Sequence, residues 1–253
     1  MSVYIFGDTH AGIDTAKLSA RQFPESKRLT ENDYVIICGD FGFPFLPSDI
    51  LPESEKDPNC DIRSSRRTYR YWMDWFASKP FNILFVDGNH ECFEYWYNQP
   101  SEEWHGGLIH RSTDAPNVIH LQRGEYYEID GHTFWCFGGA ESHDKMFRTP
   151  GFDWSPAELP SMSECLHGFS TLGKHDGKVD YIITHTAPKR ILYEMGFDSS
   201  YFDPVSEYLD VILKNTKYKL WFCGHMHQDI LIPQYQLDML YNDYFLIERG
   251  VSQ

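Results

Sequence analysis

Short apolar runs rich in β-branched and aromatic residues recur along the chain: "VYIF" (3–6), "YVIIC" (34–38), "NILFV" (82–86), "HTFWCF" (132–137), "DYIIT" (180–184) and "KLWFC" (219–223). Such continuous runs, without polar alternation, predict strands covered on both faces. Between several of them the period changes. The stretch 66–79 carries Tyr69, Trp72, Trp75 and Phe76 on one side at helical spacing. "SPAE" (155–158) offers a Ser cap, Pro at the first helical position and Glu for a capping box, and "DPVSEYLDVILKN" (203–215) also starts with a cap and Pro. Near the C-terminus, "QLDMLYNDYFLIE" (236–248) has a polar Asn-Asp break between two apolar runs and reads as a hairpin. Strands alternating with helices, then antiparallel strands, predict a layered α/β or α+β sandwich.

The residues just past the end of each strand are more informative. Gly-Asp-Thr-His (7–10) comes after the first run, Gly-Asp (39–40) after the second and Asp-Gly-Asn-His-Glu (87–91) after the third. His185 succeeds "DYIIT", and Gly-His-Met-His (224–227) succeeds "KLWFC". Singly, each has a plainer explanation, since Gly-Asp after a strand is common turn chemistry and a lone histidine is usually a packed one. Turn chemistry does not explain repeated histidine. Ligands of open α/β sheets bind beyond the carboxyl ends of strands, so five such ends can converge on one crevice, and glycine permits sharp turns and close approach there.

The converging set holds two Asp, several His and one Asn, with no Cys. Mixed oxygen and imidazole donors favour manganese, iron, zinc or a similar ion over calcium or magnesium. Seven candidate ligands exceed what one ion takes from protein while keeping an open position. Two ions sharing a carboxylate account for the number, an arrangement used repeatedly for phosphoryl hydrolysis.

Bulk properties limit the alternatives. A chain of 253 residues with 42% hydrophobic and 23% charged residues buries a full core, and is expected to form one domain over 1–253. A net charge of −15 disfavours a broad nucleic-acid surface, leaving nucleic acid only as a substrate. No apolar run reaches the roughly 18 residues of a membrane span, and the N-terminus lacks signal-peptide character. Six cysteines without a C-x-x-C pair suit a reducing compartment, so a cytoplasmic protein is expected. Neither G-x-S-x-G nor a P-loop is present. Oligomeric state leaves no trace in the sequence.

The ordered series GDTH, GD, GNHE, TH and GHMH, spanning 7–227, resembles the calcineurin-like metallophosphoesterases. The resemblance implies an α+β fold, a two-sheet β-sandwich flanked by helices in four layers. It implies Asp8, His10 and His227 on one divalent ion, Asn89, His185 and His225 on a second, and Asp40 bridging both. Manganese is the first expectation for the pair, with iron, zinc or nickel as alternatives. His90 corresponds to the family's non-ligand histidine, which contacts substrate beside Asn89 and protonates or stabilises the leaving oxygen. The implied activity is hydrolysis of small phosphate mono- or diesters by a hydroxide bridging the two ions. A nuclease or cyclic-nucleotide phosphodiesterase is the alternative, and an inactive metal-binding scaffold is the rival outside catalysis.

Departures from the family pattern matter. Ala11 replaces a usual glycine. In GDFGFP (39–44), Phe43 and Pro44 stand where the protein serine/threonine phosphatase branch has Asp-Arg, which argues against that activity. Glu91 reads as structural. The segment 137–151, "FGGAESHDKMFRTPG", resembles a bacterial and phage-type group of the superfamily, and offers Arg148 or Lys145 as a phosphate clamp. The aromatics of "FGFPF" (41–45) and "ECFEYWYN" (91–98) read as packing, with base stacking the alternative.

Overall fold

The computed structural model describes residues 1–45, 66–150 and 154–248. Its first sheet has seven strands in the order β13 (Tyr244–Ile247), β1 (Val3–Phe6), β2 (Tyr34–Ile37), β3 (Asn82–Phe85), β6 (Val118–Leu121), β5 (Gly107–Arg111) and β4 (Ser101–Trp104). Strands β1, β2, β3 and β6 run parallel, and antiparallel strands close both edges. The second sheet has six, in the order β11 (Ile230–Ile232), β12 (Leu237–Met239), β10 (Leu220–Cys223), β9 (Tyr181–Thr184), β8 (His132–Phe137) and β7 (Glu125–Ile129). Its centre, β12-β10-β9-β8, is parallel as well.

The apolar runs divide their side chains between two faces, which is why they do not alternate with polar residues. Val3, Ile5, Ile36, Leu84 and Val86 meet Phe134, Cys136, Ile183 and Phe222 between the sheets. The outward residues Tyr4, Phe6, Val35, Ile37 and Phe85 pack under α1 (Arg66–Ala77) and α2 (Phe93–Tyr97) through Tyr69, Met73, Phe76 and Trp96. On the other side Trp135, Phe137, Ile182 and Trp221 pack under α3 (Met162–Lys174), α4 (Lys189–Glu194) and α5 (Pro204–Asn215) through Leu172, Ile191, Leu209 and Ile212. The result is the four-layer α+β sandwich. Each fully buried Phe or Leu in these layers contributes about 1.5–3 kcal/mol, so the two outer layers stabilise the sheets as much as the sheets position the helices.

Two local expectations need correction. The hairpin expected at 236–248 is not one. β12 pairs with β10 and β11, whereas β13 pairs with β1 in the other sheet. The Asn-Asp break carries the chain from sheet to sheet because the Asp229 carboxylate gathers the backbone N–H groups of Tyr241, Asn242 and Asp243 at 2.7–3.0 Å. The capping box expected at 155–158 sits six residues later, where the Ser161 side chain accepts from Glu164 N and Glu164 reaches back to Ser161 N. Ser155 caps only a 3-10 turn, because the Glu158 carboxylate is taken by Ser142. At the N-terminus of α5 the reading holds, with Asp203 accepting from Ser206 N at 2.6 Å. No helix among the described residues is long and apolar enough to cross a membrane, and no disulfide joins the described cysteines.

Candidate active site

The loops after β1, β2, β3, β9 and β10 meet at the carboxyl ends of the parallel strands. Asp8 and Asp40 are 0% and 1% exposed, and His185 is fully buried between them. The loops approach one another so closely that side chains have no room: a Cβ on Gly88 would lie 2.0 Å from Asp40 Oδ1. His10, Ala11, Asp40, His225 and His227 all adopt left-handed backbone with φ between 40° and 66°. Such conformations cost about 1–2 kcal/mol each for residues other than glycine, and their clustering marks the segment that the rest of the fold must hold in place. Ala11, at φ 53°, accepts a conformation that glycine adopts freely.

Hydrogen bonds fix which atom of the His185 and His10 rings faces inward. His185 Nδ1 donates to the Cys38 carbonyl at 2.8 Å, turning Nε2 toward Asn89 Oδ1 at 3.1 Å and Asp40 Oδ2 at 3.5 Å. His10 Nδ1 lies 2.8 Å from Asp14 Oδ2, turning its Nε2 toward Asp40 Oδ2 and His227 Nε2, both at 3.1 Å. His227 Nε2 is also 3.2 Å from Asp8 Oδ2. Asp40 Oδ1 is held by the backbone N–H of His90 at 2.7 Å, so its other oxygen is the one that faces both His10 and His185. His225 Nε2 is buried with no hydrogen-bond partner.

These inward atoms are electron pairs facing electron pairs. A neutral His185 whose Nδ1 proton is committed to a carbonyl presents a lone pair to the amide oxygen of Asn89, and His10 does the same to Asp40. Only a proton or a cation between them makes the arrangement favourable. Burial disfavours the charged rings, yet Asp40, Asp8 and Asp14 outweigh it and push His10 up to about 9, and Asp40 and Asp8 push His185 up to about 10. The Asp40 carboxyl, despite its own burial, is held well below the usual range by His185, His90 and His10. Burial, with His185 beside it, holds His225 well below 6.5, so that ring is neutral and its Nε2 is left without a partner inside the protein.

The residues fit divalent ions. Donor atoms about 2.1 Å from a common ion stand about 3.0–3.4 Å apart when adjacent in an octahedral or tetrahedral shell, close to the 3.1–3.2 Å that separates His10 Nε2 from Asp40 and His227, and His227 Nε2 from Asp8. Asp8, His10 and His227 offer ligand atoms within 4.8 Å of one another, as do Asp8, Asp40 and His185. The structure thus brings Asp8, His10, Asp40, Asn89, His185, His225 and His227 to one place. His90 lies beside them, its ring 5.8 Å from that of His10.

Arg148 and Lys145, the two candidate clamps, diverge. Arg148 Nη1 is 3.3 Å from His90 Nδ1, and its Nε pairs with Asp144 at 2.7 Å. Lys145 instead pairs with Glu141. Glu91 accepts from Phe41 N and Gly42 N at 2.7 and 2.9 Å, a structural task. Phe41, Phe43 and Trp96 are core residues, whereas Phe45 stacks on His90 with centroids 5.7 Å apart.

Sequence reasoning missed the groups that orient these side chains. Asp14 carried a local signal, four residues after His10. Lys17, whose Nζ donates to the Asp8 carbonyl at 2.5 Å, did not. Nor did the buried trio of Asp87, His120 and Arg123, in which His120 Nε2 lies 3.0 Å from Asp87 Oδ1 and Arg123 Nε donates to Asp87 Oδ2 at 2.8 Å.

A family model described as calcineurin-like phosphoesterase matches residues 1–229. Among curated proteins none matches the chain. Similar solved structures include a Staphylococcus aureus protein assigned as a 5′-nucleotidase, at 13% identity and a TM-score of 0.50, covering 98% of this chain and 50% of its own. The chain therefore spans about half the length of that protein. Another is a phosphopantetheinyl hydrolase from Mycobacterium tuberculosis, at 13% identity and a TM-score of 0.46, covering 95% of this chain and 88% of its own. With the match running through every strand-end motif, from the first aspartate to the last histidine, the chain belongs to the calcineurin-like phosphoesterases, a family of phosphoester hydrolases.

Proposed function

We propose that the protein is a two-metal hydrolase of small phosphate mono- or diesters. The observation that carries this reading is the convergence of His10 Nε2, His185 Nε2 and Asp40 Oδ2, whose other atoms are already hydrogen-bonded to Asp14, Cys38 and His90, with His227 Nε2, Asp8 and the unpartnered His225 Nε2. His10 Nε2, His227 Nε2 and Asp8 would hold one divalent ion. His185 Nε2, His225 Nε2 and Asn89 Oδ1 would hold the other, with Asp40 Oδ2 shared. Two bound ions would supply an acidified water as nucleophile and positive charge for the phosphoryl oxygens.

The chain's own side chains do the rest. Arg148 is an obligate donor, so its contact makes His90 Nδ1 an acceptor and leaves the ring proton on Nε2. Burial first, then the positive charges of Arg148, His10 and His185, lower the His90 pKa, which keeps the ring neutral in that tautomer. Such a ring can donate to a phosphoryl oxygen or to the leaving-group oxygen. Arg148 next to it supplies a fixed charge for the same phosphate. Phe45 walls this side and favours a flat or apolar leaving group.

The test is a screen of phosphate monoesters, linear diesters and cyclic nucleotides against metal-free protein refilled with Mn, Fe, Zn, Ni or Mg. Turnover with Mn2+ that disappears in Asp40→Asn supports the reading. Activity that is unchanged in Asp40→Asn refutes it. A strong preference for cyclic nucleotides or single-stranded DNA would select the alternative phosphodiesterase reading.

A further inference from the structure

Asn89 differs from every other candidate ligand in having two chemically opposite ends of nearly the same shape. Its carbonyl oxygen can face a cation, and its NH2 cannot. Something must choose between the two orientations. His185 cannot hold the orientation that a cation needs, because a cation replaces the Nε2 proton that would otherwise be given to the amide oxygen.

We infer that the buried pair Ser142 and Glu158 sets the orientation of the Asn89 amide, and thereby builds the second cation site. Asn89 Nδ2 donates to Ser142 Oγ at 3.3 Å while Asn89 Oδ1 faces His185 Nε2 at 3.1 Å. Ser142 Oγ donates its single hydrogen to Glu158 Oε2 at 2.6 Å, and Ser142 N donates to Glu158 Oε1 at 2.9 Å. Ser142 is 2% and Glu158 0% exposed, so water does not compete. With Glu158 ionised, a form its bonds from Ser142 favour against burial, the direction of the chain follows from donor and acceptor inventories. An ionised carboxylate only accepts. It therefore takes the hydroxyl hydrogen, leaves the hydroxyl a lone pair, and that lone pair can be met only by the NH2 end of the amide.

The anchor is itself fixed. Arg123 Nη2 donates to the carbonyls of Ala157 and Glu158 at 2.8 and 3.2 Å and pairs with Asp87, two residues before Asn89. Gly139 N donates to the Asp87 carbonyl at 2.7 Å. The loop bearing Asn89 and the segment bearing Glu158 are thus tied to one guanidinium, and the loop leading to Ser142 is tied to the Asp87 backbone. Serine in the "GGAES" stretch accordingly has a task separate from that of Arg148: it is a positioning residue for the second ion. The inference rests on the two-ion reading, with Asn89 as a ligand.

Glu158→Gln tests it with almost no change of shape. The Gln oxygen must accept from Ser142 N, so its NH2 faces Ser142 Oγ. The hydroxyl hydrogen is then driven toward Asn89, whose amide turns its NH2 to the cation. Titration of metal-free protein with Mn2+, followed by calorimetry and elemental analysis, should show two sites in the wild type. In Glu158→Gln the dissociation constant of one site should rise about 10–100-fold, the range typical of groups that orient a ligand, while the other keeps its wild-type value. Ser142→Ala should repeat the loss, and Ser142→Thr, which retains the hydroxyl, should not.

The decisive control is the Asn89→Asp background. A carboxylate has oxygen at both ends, so Glu158→Gln should cost no Mn2+ affinity there. Wild-type affinity in Glu158→Gln and Ser142→Ala overturns the inference and leaves the two-ion reading standing. An equal loss in the Asn89→Asp background also overturns it, because the effect would then be general distortion. A wild type that binds fewer than two Mn2+ removes the two-ion reading and this inference with it.

Discussion

Metal binding should expel protons from this site, and the structure says how many. In the cation-free protein the negative charge of Asp8 and Asp40 is balanced by protons on His10 and His185, whose pKa values stand at about 9 and about 10. At pH 7.5 both rings are almost fully protonated. Divalent ions occupying the same space require bare Nε2 atoms, so filling both sites should release at least about two protons, one from each ring. Calorimetric titration of metal-free protein with Mn2+ in buffers of differing ionisation enthalpy counts them directly. The same shifts govern stability. A ring raised above its unfolded value of 6.5 stabilises the fold fully below that pH, and the contribution is lost as pH rises through the folded value. Metal-free protein should therefore lose stability between pH 6.5 and 10, by at most about 8 kcal/mol because both rings share one pair of carboxylates. Mn2+-loaded protein should not, and the gap between the two melting temperatures should widen with pH. Release of fewer than one proton at pH 7.5, or a gap that shrinks with rising pH, would show that these rings are not the proton reservoir.

Other perturbations separate the roles of neighbouring residues. His90→Ala should leave both ions bound, by elemental analysis, and slow turnover by about 10²–10⁴-fold, the usual worth of a positioned proton donor; loss of metal would make His90 a ligand instead. Arg148→Ala removes a charged donor worth about 1.5–3 kcal/mol, so kcat/KM should fall roughly 10–100-fold with metal content unchanged. Glu91→Ala strands the N–H groups of Phe41 and Gly42 at about 1–3 kcal/mol each, which should lower the melting temperature by at least about 4 °C. Arg123→Ala leaves Asp87 buried with only His120 beside it and should cost about 3–5 kcal/mol in chemical denaturation.

The candidate site was legible in the sequence because each candidate ligand sits at the end of a strand with a strong local signature. "VYIFGDTH" and "KLWFCGHMH" carry both the strand and its terminal chemistry in nine residues or fewer. The features that stayed hidden are tertiary. Strand β4 at the sheet edge and β5 beside it read as "SEEW" and "GLIHR", segments with no apolar run, although the two-residue His105-Gly106 turn between them has φ of 51° and 93°. The Asp130-Gly131 turn joining β7 to β8 was a stronger hairpin signal, since Asp-Gly suits the paired positive φ values such turns require. The Asn242-Asp243 break misled because a turn within one sheet and a crossing between sheets demand the same residues; only Asp229, thirteen or so positions upstream, distinguishes them. Ser142 stood in a conspicuous motif, but its partner Glu158 looked like a capping residue. Nothing local marks a carboxylate whose acceptor role lies in another loop.

The proposed chemistry depends on two cations sharing Asp40. The most direct measurement is an anomalous-diffraction crystal structure of Mn2+-refilled protein, paired with metal counting on the same sample. Two Mn2+ per chain are expected, one against Asp8, His10 and His227, the other against Asn89, His185 and His225, with one Asp40 oxygen reaching both. A single peak, or two peaks with Asp40 or His225 outside both shells, would contradict the two-ion site.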